Sequence, residues 1–252
     1  MGDAAQNVRG EASHVSFDAD GFTIIRGVSF IEPTSVLVEY IAFGGTDLSV
    51  RVDTVDLNNS QDASVDETAP GFEPDVVFTS FIGHLLDATN DGDNDDSSFS
   101  FGWAVNPALQ STDNQFSMMV ATRDNQGTSQ TTTRFDDAYA GTSFRDGSID
   151  ASYEINTFDA SGFSVTTRLA TATTDEVMGY MALQFGSSPL VFSGQRTSQI
   201  STGDDIVTDP RFKPELLIGI GGAVATVADT NTSGNSLAIG ITDGTDTYAI
   251  SY

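Results

Sequence analysis

The sequence contains no cysteine, a single lysine (Lys213) and only two histidines among 252 residues. Without cysteine there are no disulfides, no thiolate chemistry and no cysteine-ligated zinc site. His14 and His84 lie far apart in the sequence, so we do not expect a transition-metal centre. No run of 18 apolar residues is present, and we therefore expect no membrane insertion. The start, MGDAAQNVRGEAS, lacks the apolar core of a secretory signal, so we expect none.

Positive charge is also scarce. The 36 acidic residues, 28 of them Asp, face only 10 basic ones, which gives a formal net charge of −26. Nucleic acid is therefore not an expected partner, because phosphate binding needs clustered Lys and Arg. An acidic surface repels itself in dilute buffer, whereas at molar salt the Debye length falls to about 3 Å and screens the repulsion. The composition favours a protein that works in high salt. The alternatives are an acidic surface kept for solubility, or one that binds a cation or a basic partner.

The apolar residues occur in short runs rich in Phe, Val, Ile and Thr, and the runs are bounded by Asn, Asp, Gly and Ser. This pattern predicts β-strands. No stretch of 12 or more residues has a clean helical period, so the predicted fold class is all-β. The clearest predicted strands span residues 35–43, 98–104, 116–122 and 216–220.

The sequence repeats itself at an offset of about 140 positions. Four ordered pairs of segments match, and such repeats bear directly on the fold. The pairs are FDADGF (17–22) with FDASGF (158–163), VEYIAF (38–43) with MGYMAL (178–183), GFEPDVVF (71–78) with RFKPELLI (211–218), and SFSFGWA (98–104) with SLAIGIT (236–242). We predict that the first pair forms tight turns in which Gly21 and Gly162 supply a positive φ.

The phase of the repeat predicts two pseudo-repeated β-sandwich units of jelly-roll or lectin-like style. Residues 46–185 make one complete unit, and residues 1–45 plus 186–252 make a second, circularly permuted unit. Two hypotheses follow. The two termini pair with each other in one sandwich, or the terminus of a neighbouring subunit fills the gap.

One acidic loop, DATNDGDNDD (87–96), is a candidate metal site. Its oxygen ligands would be Asp87, Asp91, Asp93 and Asp95, and the ion Ca²⁺ or Mg²⁺. The spacing departs from an EF-hand, which requires Glu where Ser98 stands. The alternative is a solvated acidic hairpin loop without a metal, and no other cofactor is expected.

Catalytic motifs are weak throughout. No GxSxG nucleophile elbow is present, and the many Ser and Asp residues make chance triads or carboxylate pairs easy to find. Gly219-Ile-Gly-Gly222 lacks the strand–turn–helix context of a phosphate loop, so we interpret these as strand or bulge glycines. We expect no enzymatic activity. Tyr139 and Tyr153 are candidate exposed rings for glycan binding, whereas we expect Trp103 in a Phe-rich core.

The phrases FDADGF…VEYIAFGG, GFEPDVVF and FGWA…MMVATRDNQ resemble a group of β-rich structural proteins of tailed viruses. The resemblance covers most of residues 14–125 and 145–245, and it departs from the pattern at Arg211 and Glu215. It implies a virion structural protein of the decoration, turret or fibre type, and it carries no catalytic residues.

Together with the acidic composition, the resemblance leads us to expect a protein of a halophilic tailed virus with an archaeal host. Its place would be the extracellular particle surface, on the head or on a tail appendage. Its partners would be itself in a symmetric oligomer, such as a trimer or pentamer, other virion proteins, and a host surface glycoprotein. The alternative is a carbohydrate-binding β-sandwich module of a halophilic organism.

Overall fold

The structure is a computed structural model. It describes residues 12–18, 21–26, 42, 47–58, 60–82, 96–112, 114–123, 130–145, 148–170, 176–186, 189–195, 207–222, 232–233 and 238–251. The chain forms two compact units, one of residues 1–40 with 87–94 and the other of residues 41–86 with 95–252.

All regular elements in these ranges are strands, and none is a helix. In chain order they are β1 (Ala12–Asp18), β2 (Gly21–Arg26), β3 (Ser49–Leu57), β4 (Ser64–Glu67), β5 (Val76–Ile82), β6 (Asp96–Val105), β7 (Gln115–Arg123), β8 (Gln130–Asp136), β9 (Gly141–Arg145), β10 (Ser148–Asp159), β11 (Gly162–Ala170), β12 (Glu176–Gln184), β13 (Leu217–Gly221), β14 (Thr232–Ser233), β15 (Ala238–Thr242) and β16 (Thr247–Ser251). The all-β prediction is confirmed.

The larger unit contains a β-sandwich made of two antiparallel sheets. One sheet has seven strands in the order β14-β8-β7-β6-β5-β12-β3, and the other has four in the order β4-β11-β10-β9. Apart from the two-residue β14, all these strands lie between residues 49 and 184, within the range 46–185 predicted for the complete unit. A separate sheet, β13-β15-β16, follows. The smaller unit contributes the hairpin β1–β2. The predicted permuted unit, residues 1–45 plus 186–252, stays a prediction.

The repeated FDAxGF phrase forms the same hairpin in both places. Phe17 pairs with Phe22 in β1–β2, and Phe158 pairs with Phe163 in β10–β11. The second turn is fixed by Asp159, whose Oδ1 accepts hydrogen bonds from the Ser161 backbone and hydroxyl and from the Gly162 N–H. These hydrogen bonds, first of all that from the Ser161 backbone, lower the pKa of Asp159 below its usual value. Side-chain capping of this kind explains why Asp starts the second turn.

The prediction that Gly162 supplies a positive φ is wrong, because its φ is not in the left-handed region. Glycine is required there for space instead. A Cβ atom at position 162 would collide with the backbone carbonyl of Glu67 in β4, the strand that pairs with β11. The turn glycine therefore allows two backbones to approach closely.

A second repeated turn precedes β5 and β13. Gly71 has a φ of 71° and its N–H donates to the Thr68 carbonyl at 3.2 Å. Arg211, 140 positions later, has a φ of 58° and donates to the Thr208 carbonyl at 3.2 Å. The same backbone turn thus persists where the sequence has lost its glycine. Arg211 holds a left-handed conformation that a side chain disfavours.

The core lies between the two sheets of the sandwich. It is a continuous cluster of buried residues from both layers. Its members include Val55, Leu57, Val77, Ala104, Tyr153, Ile155, Phe163, Val165, Met178, Tyr180 and Ala182. Phe163 and Tyr180 meet edge to face, with ring centroids 5.0 Å apart, a favoured geometry for aromatic pairs.

The backbones come very close where Gly102 of β6 faces Ala140 in the β8–β9 connection. A Cβ atom at Gly102 would overlap the Ala140 carbonyl oxygen. The same oxygen accepts a hydrogen bond from the Thr79 hydroxyl, and Thr79 is the cross-strand neighbour of Gly102. The Ala140 N–H donates to the Tyr153 carbonyl at 2.9 Å. Hydrogen bonds on both sides therefore hold the Ala140 peptide directly above Gly102 of β6.

This contact predicts a strong asymmetry between two glycines at matching positions. Gly240 of β15 is the counterpart of Gly102, because it pairs with Gly219 as Gly102 pairs with Thr79. A Cβ at Gly240 would meet no atom closer than 3.7 Å. We expect Gly102→Ala to lower the free energy of unfolding by about 2–3 kcal/mol, as overpacking does in other cores. Gly240→Ala should change it by less than about 1 kcal/mol. Urea unfolding in high salt measures both, and equal losses would contradict the assigned close approach.

Candidate functional site

The outer face of the seven-stranded sheet, which points away from the sandwich core, is the candidate functional site. Side chains alternate between the two faces of a strand, so cross-strand neighbours of one face form rows. One row consists of Val52, Met181, Phe78, Trp103 and Phe116, and the next of Thr54, Gly179, Ser80, Phe101, Met118 and Phe135. We call these two rows the aromatic face.

The rings of the aromatic face form a chain of contacts. Phe78 stacks on Phe101 with centroids 6.1 Å apart, Phe101 meets Trp103 edge-on at 6.4 Å, and Trp103 contacts Phe116 at 6.0 Å. Phe78, Phe101 and Trp103 remain half-buried. Trp103 therefore belongs to a cluster of Phe residues as expected, but the cluster lies on the outer face and not in the inter-sheet core.

Gly179 and Ser80 create a depression in this face. They are the two smallest residues of the second row and are cross-strand neighbours, so the surface sinks between Thr54 and Phe101. The resulting trough has a volume of about 390 Å³ and is also lined by Val52 and Met181. Val52 at its edge is 69 % exposed. The trough is open and almost entirely apolar, so it suits an apolar side chain better than a charged ligand.

One edge of the sheet carries the nearest charges. Arg51 and Asp53 of β3 form an exposed ion pair, and the buried Tyr180 lies beside them. Burial, followed by the Glu67 carboxylate, raises the pKa of Tyr180 to about 12, and the Arg51 guanidinium opposes the shift. A phenol held neutral in this way is not a nucleophile at ordinary pH.

The sandwich also contains buried polar groups, which sequence reasoning missed. Glu176 accepts hydrogen bonds from the Tyr153 hydroxyl at 2.7 Å and the Ser143 hydroxyl at 3.2 Å. Arg134 and Asp136 form a buried ion pair at 2.7 Å. These groups are enclosed between the layers and satisfy one another, which is the usual state of buried polar side chains. We therefore interpret both groups as structural parts of the core.

The predicted glycan-binding residues lie in different environments. Tyr153 is only 2 % exposed and belongs to the core, so the prediction that it is an exposed sugar platform is wrong. The inward phase of β10 and the carboxylate of Glu176 hold its ring between the sheets. Tyr139, in the β8–β9 connection, is half-buried, and its role in glycan binding stays a prediction.

The predicted metal ligands Asp87, Asp91, Asp93 and Asp95 lie outside the described residues, as does His84. In the ranges that the structure does describe, no three His, Asp or Glu side chains are grouped as a metal site. The same ranges contain no helix able to cross a membrane. Gly219 and Gly221 lie in β13, so the prediction of strand glycines is confirmed for them.

Comparison of the chain with protein-family models, with curated proteins and with solved structures finds no match.

Two buried tyrosines give a matched prediction. The buried Tyr180 hydroxyl makes no hydrogen bond of good geometry among the described residues, although the Arg51 guanidinium and the Glu67 carboxylate lie near it, whereas the Tyr153 hydroxyl donates to Glu176. We expect Tyr153→Phe to lower the free energy of unfolding by about 1–3 kcal/mol, because Glu176 loses a donor. Tyr180→Phe should be neutral or slightly stabilising at pH 7. Urea unfolding of the two variants checks this, and the reverse order would contradict it.

Tyr180 also predicts a stability loss at alkaline pH. Its pKa rises from 10.0 to about 12 on folding, so the unfolded chain loses this proton first as pH rises above 10. The contribution of the protonated Tyr180 to the free energy of unfolding is therefore fully present below pH 10. It decreases as the pH rises to about 12. The loss should reach roughly 2–3 kcal/mol, at about 1.4 kcal/mol per pKa unit. Urea unfolding of both chains at steps from pH 9 to about 12 measures this loss. We expect the free energy of unfolding to fall in the natural chain and to fall less in Tyr180→Phe. If it falls equally with pH in both chains, Tyr180 is not the cause.

Proposed function

We propose that the chain is a non-enzymatic structural protein of a virus particle, which assembles as a symmetric oligomer through the aromatic face. The particle is that of a halophilic tailed virus, and the protein is exposed on its head or on a tail appendage. The observation that carries the proposal is the exposed and half-buried apolar surface of Val52, Phe78, Phe101 and Trp103.

An apolar surface of this kind favours protein association over ligand chemistry. Contiguous apolar patches on a soluble protein mark interaction sites, and aromatic residues with Met are enriched at the centres of protein interfaces. The exposed and half-buried part of the face has Phe, Trp, Val and Met in adjacent positions of one sheet, whereas Phe116 and Met118 are already buried. Two copies of it can bury one another, as is common in symmetric oligomers.

The charge of the chain supports assembly in strong salt. At a net charge of −26, two copies repel each other in dilute buffer. The repulsion is screened when the Debye length is about 3 Å or less, which requires molar salt. Burial of apolar surface is not weakened by such screening, and excluded salts strengthen it. High salt therefore removes the main obstacle to contact between aromatic faces.

The second candidate function is carbohydrate binding by a halophilic module, and the chain of rings favours it. The Phe78–Phe101–Trp103 series presents successive aromatic rings along one surface, and half-exposed rings are surfaces on which sugars stack. This function needs polar groups beside the rings, and Ser80 and Thr54 are the nearest in the rows. It predicts a monomer that binds polysaccharide.

Sedimentation velocity tests the assembly. In about 3 M NaCl we expect a discrete oligomer, and in about 0.15 M NaCl, where the Debye length is about 8 Å, dissociation or unfolding. Val52→Asp, which places a charge on the aromatic face, should weaken association at least tenfold, or about 1.4 kcal/mol. The control is Val207→Asp, at a site 50 % exposed outside this face, and it should leave association unchanged.

A monomer at both salt concentrations would overturn the proposed assembly. Retardation of that monomer in a polysaccharide-containing gel at high salt, lost in Trp103→Ala, would favour the carbohydrate-binding function. Equal weakening by Val52→Asp and Val207→Asp would show that association does not use the aromatic face.

A further inference from the structure

The C-terminal sheet repeats the centre of the large sheet register for register. Val77 pairs with Ala104 in β5–β6, and Leu217 pairs with Thr242 in β13–β15. The next strand continues the match, because Trp103 pairs with Phe116 and Ile241 with Tyr248. The sheet β13-β15-β16 is thus a second copy of β5-β6-β7, built from the matching sequence segments.

The two copies differ in what lies over the inner face. Val77 is 0 % exposed because the four-stranded sheet covers it, whereas Leu217 at the matching position is 57 % exposed. Ala140 fills the space above Gly102, whereas a Cβ at the matching Gly240 would meet only atoms of the neighbouring strand β16, the nearest 3.7 Å away. A Cβ at Gly219, its cross-strand neighbour, would have no atom within 4 Å. Within the described part of the chain, the inner face of β13-β15-β16 is a sandwich half without its second layer.

The chain also contains a second copy of the segment that covers Val77. That segment is the hairpin β10–β11, whose Phe163 and Val165 belong to the same core cluster as Val77. The hairpin β1–β2 reproduces it, including the bulge. The register shifts between His14 and Ser16 in β1, and between Ile155 and Thr157 in β10, which are matching positions. Phe22 and Ile24 therefore occupy the register positions of Phe163 and Val165.

We propose that the hairpin β1–β2 of one copy covers the sheet β13-β15-β16 of a second copy and completes a second sandwich between them. The partner is another molecule of this chain, so the inference rests on the self-assembly proposed above and adds a second kind of contact to it. A hairpin alone is only marginally stable. The inner face of β13-β15-β16 is built mainly of small residues around the exposed Leu217, and a sheet is normally stabilised by a second layer.

We place the contact between two copies because the hairpin β1–β2 and the sheet β13-β15-β16 belong to different units of the chain. The hairpin lies in the small unit and the sheet lies in the large one. Domain exchange passes an identical structural element between protomers, and the hairpin, which belongs to the smaller unit, is such an element. Because the hairpin and the sheet are different surfaces, the contact is head-to-tail, and it closes into a ring when the rotation between copies permits. Such rings include the trimers and pentamers expected for virion proteins.

The absence of cysteine from the sequence makes a clean cross-linking test possible. Phe22→Cys and a size-tagged Leu217→Cys chain are mixed in high salt and treated with a short bismaleimide. We expect a cross-linked heterodimer as the main product. The control pairs Phe22→Cys with tagged Thr245→Cys, an exposed residue in the β15–β16 turn, and should give at least tenfold less heterodimer.

Equal cross-linking of the two pairs, or no product from Phe22→Cys with Leu217→Cys, overturns the exchange. The double variant Phe22→Cys/Leu217→Cys gives a further test, because a product of single-chain mass alone also overturns it. If the mixture still sediments as a discrete oligomer in these cases, only the exchange fails, and assembly through the aromatic face is then decided by comparing Val52→Asp with Val207→Asp. If it sediments as a monomer, both proposals fail.

Discussion

The close approach of Ala140 to Gly102 is the contact on which the sandwich depends. Sheets that meet only through apolar side chains pack about 10 Å apart, but here backbone of one layer is hydrogen-bonded by side chains of the other. Thr79 donates to the Ala140 carbonyl, and the Ser100 and Ser98 hydroxyls accept from the Thr142 and Phe144 N–H groups at 3.3 Å. The small polar side chains leave β9 close above β6.

This constraint explains the distribution of apolar residues in the large sheet. Near β9 the inner face must be small and polar, as Ser98, Ser100 and Gly102 are. The large side chains of the same strand, Phe101 and Trp103, point the other way. Strand β6 therefore has its apolar bulk on the outer face, where an ordinary two-layer sandwich would carry polar residues. The aromatic face follows from the tight inter-sheet contact.

The sequence was sufficient to predict the fold class and several of the strands. Turn residues and β-branched runs identify β6, β7 and β13, and the repeated FDAxGF phrase identifies two hairpins of equal register. The role of Gly162 was not predictable, because its close neighbour, Glu67, is almost 100 positions away and becomes adjacent only through β4–β11 pairing. Local turn rules address φ, whereas this glycine is fixed by a tertiary clash.

Which face of a strand points inward was also beyond the sequence. Alternation marks two faces but does not say which is inside when both carry apolar or hydroxyl side chains. For this reason Tyr153, expected at the surface, lies in the core, and Trp103, expected in the core, lies on the outer face. A signal was present in retrospect, because Glu176 starts β12 in phase with Met178 and Tyr180, and a carboxylate at an inward position needs a donor such as a tyrosine hydroxyl. The aromatic face can therefore be predicted from the sequence only after the buried polar residues have shown which side of each strand points inward.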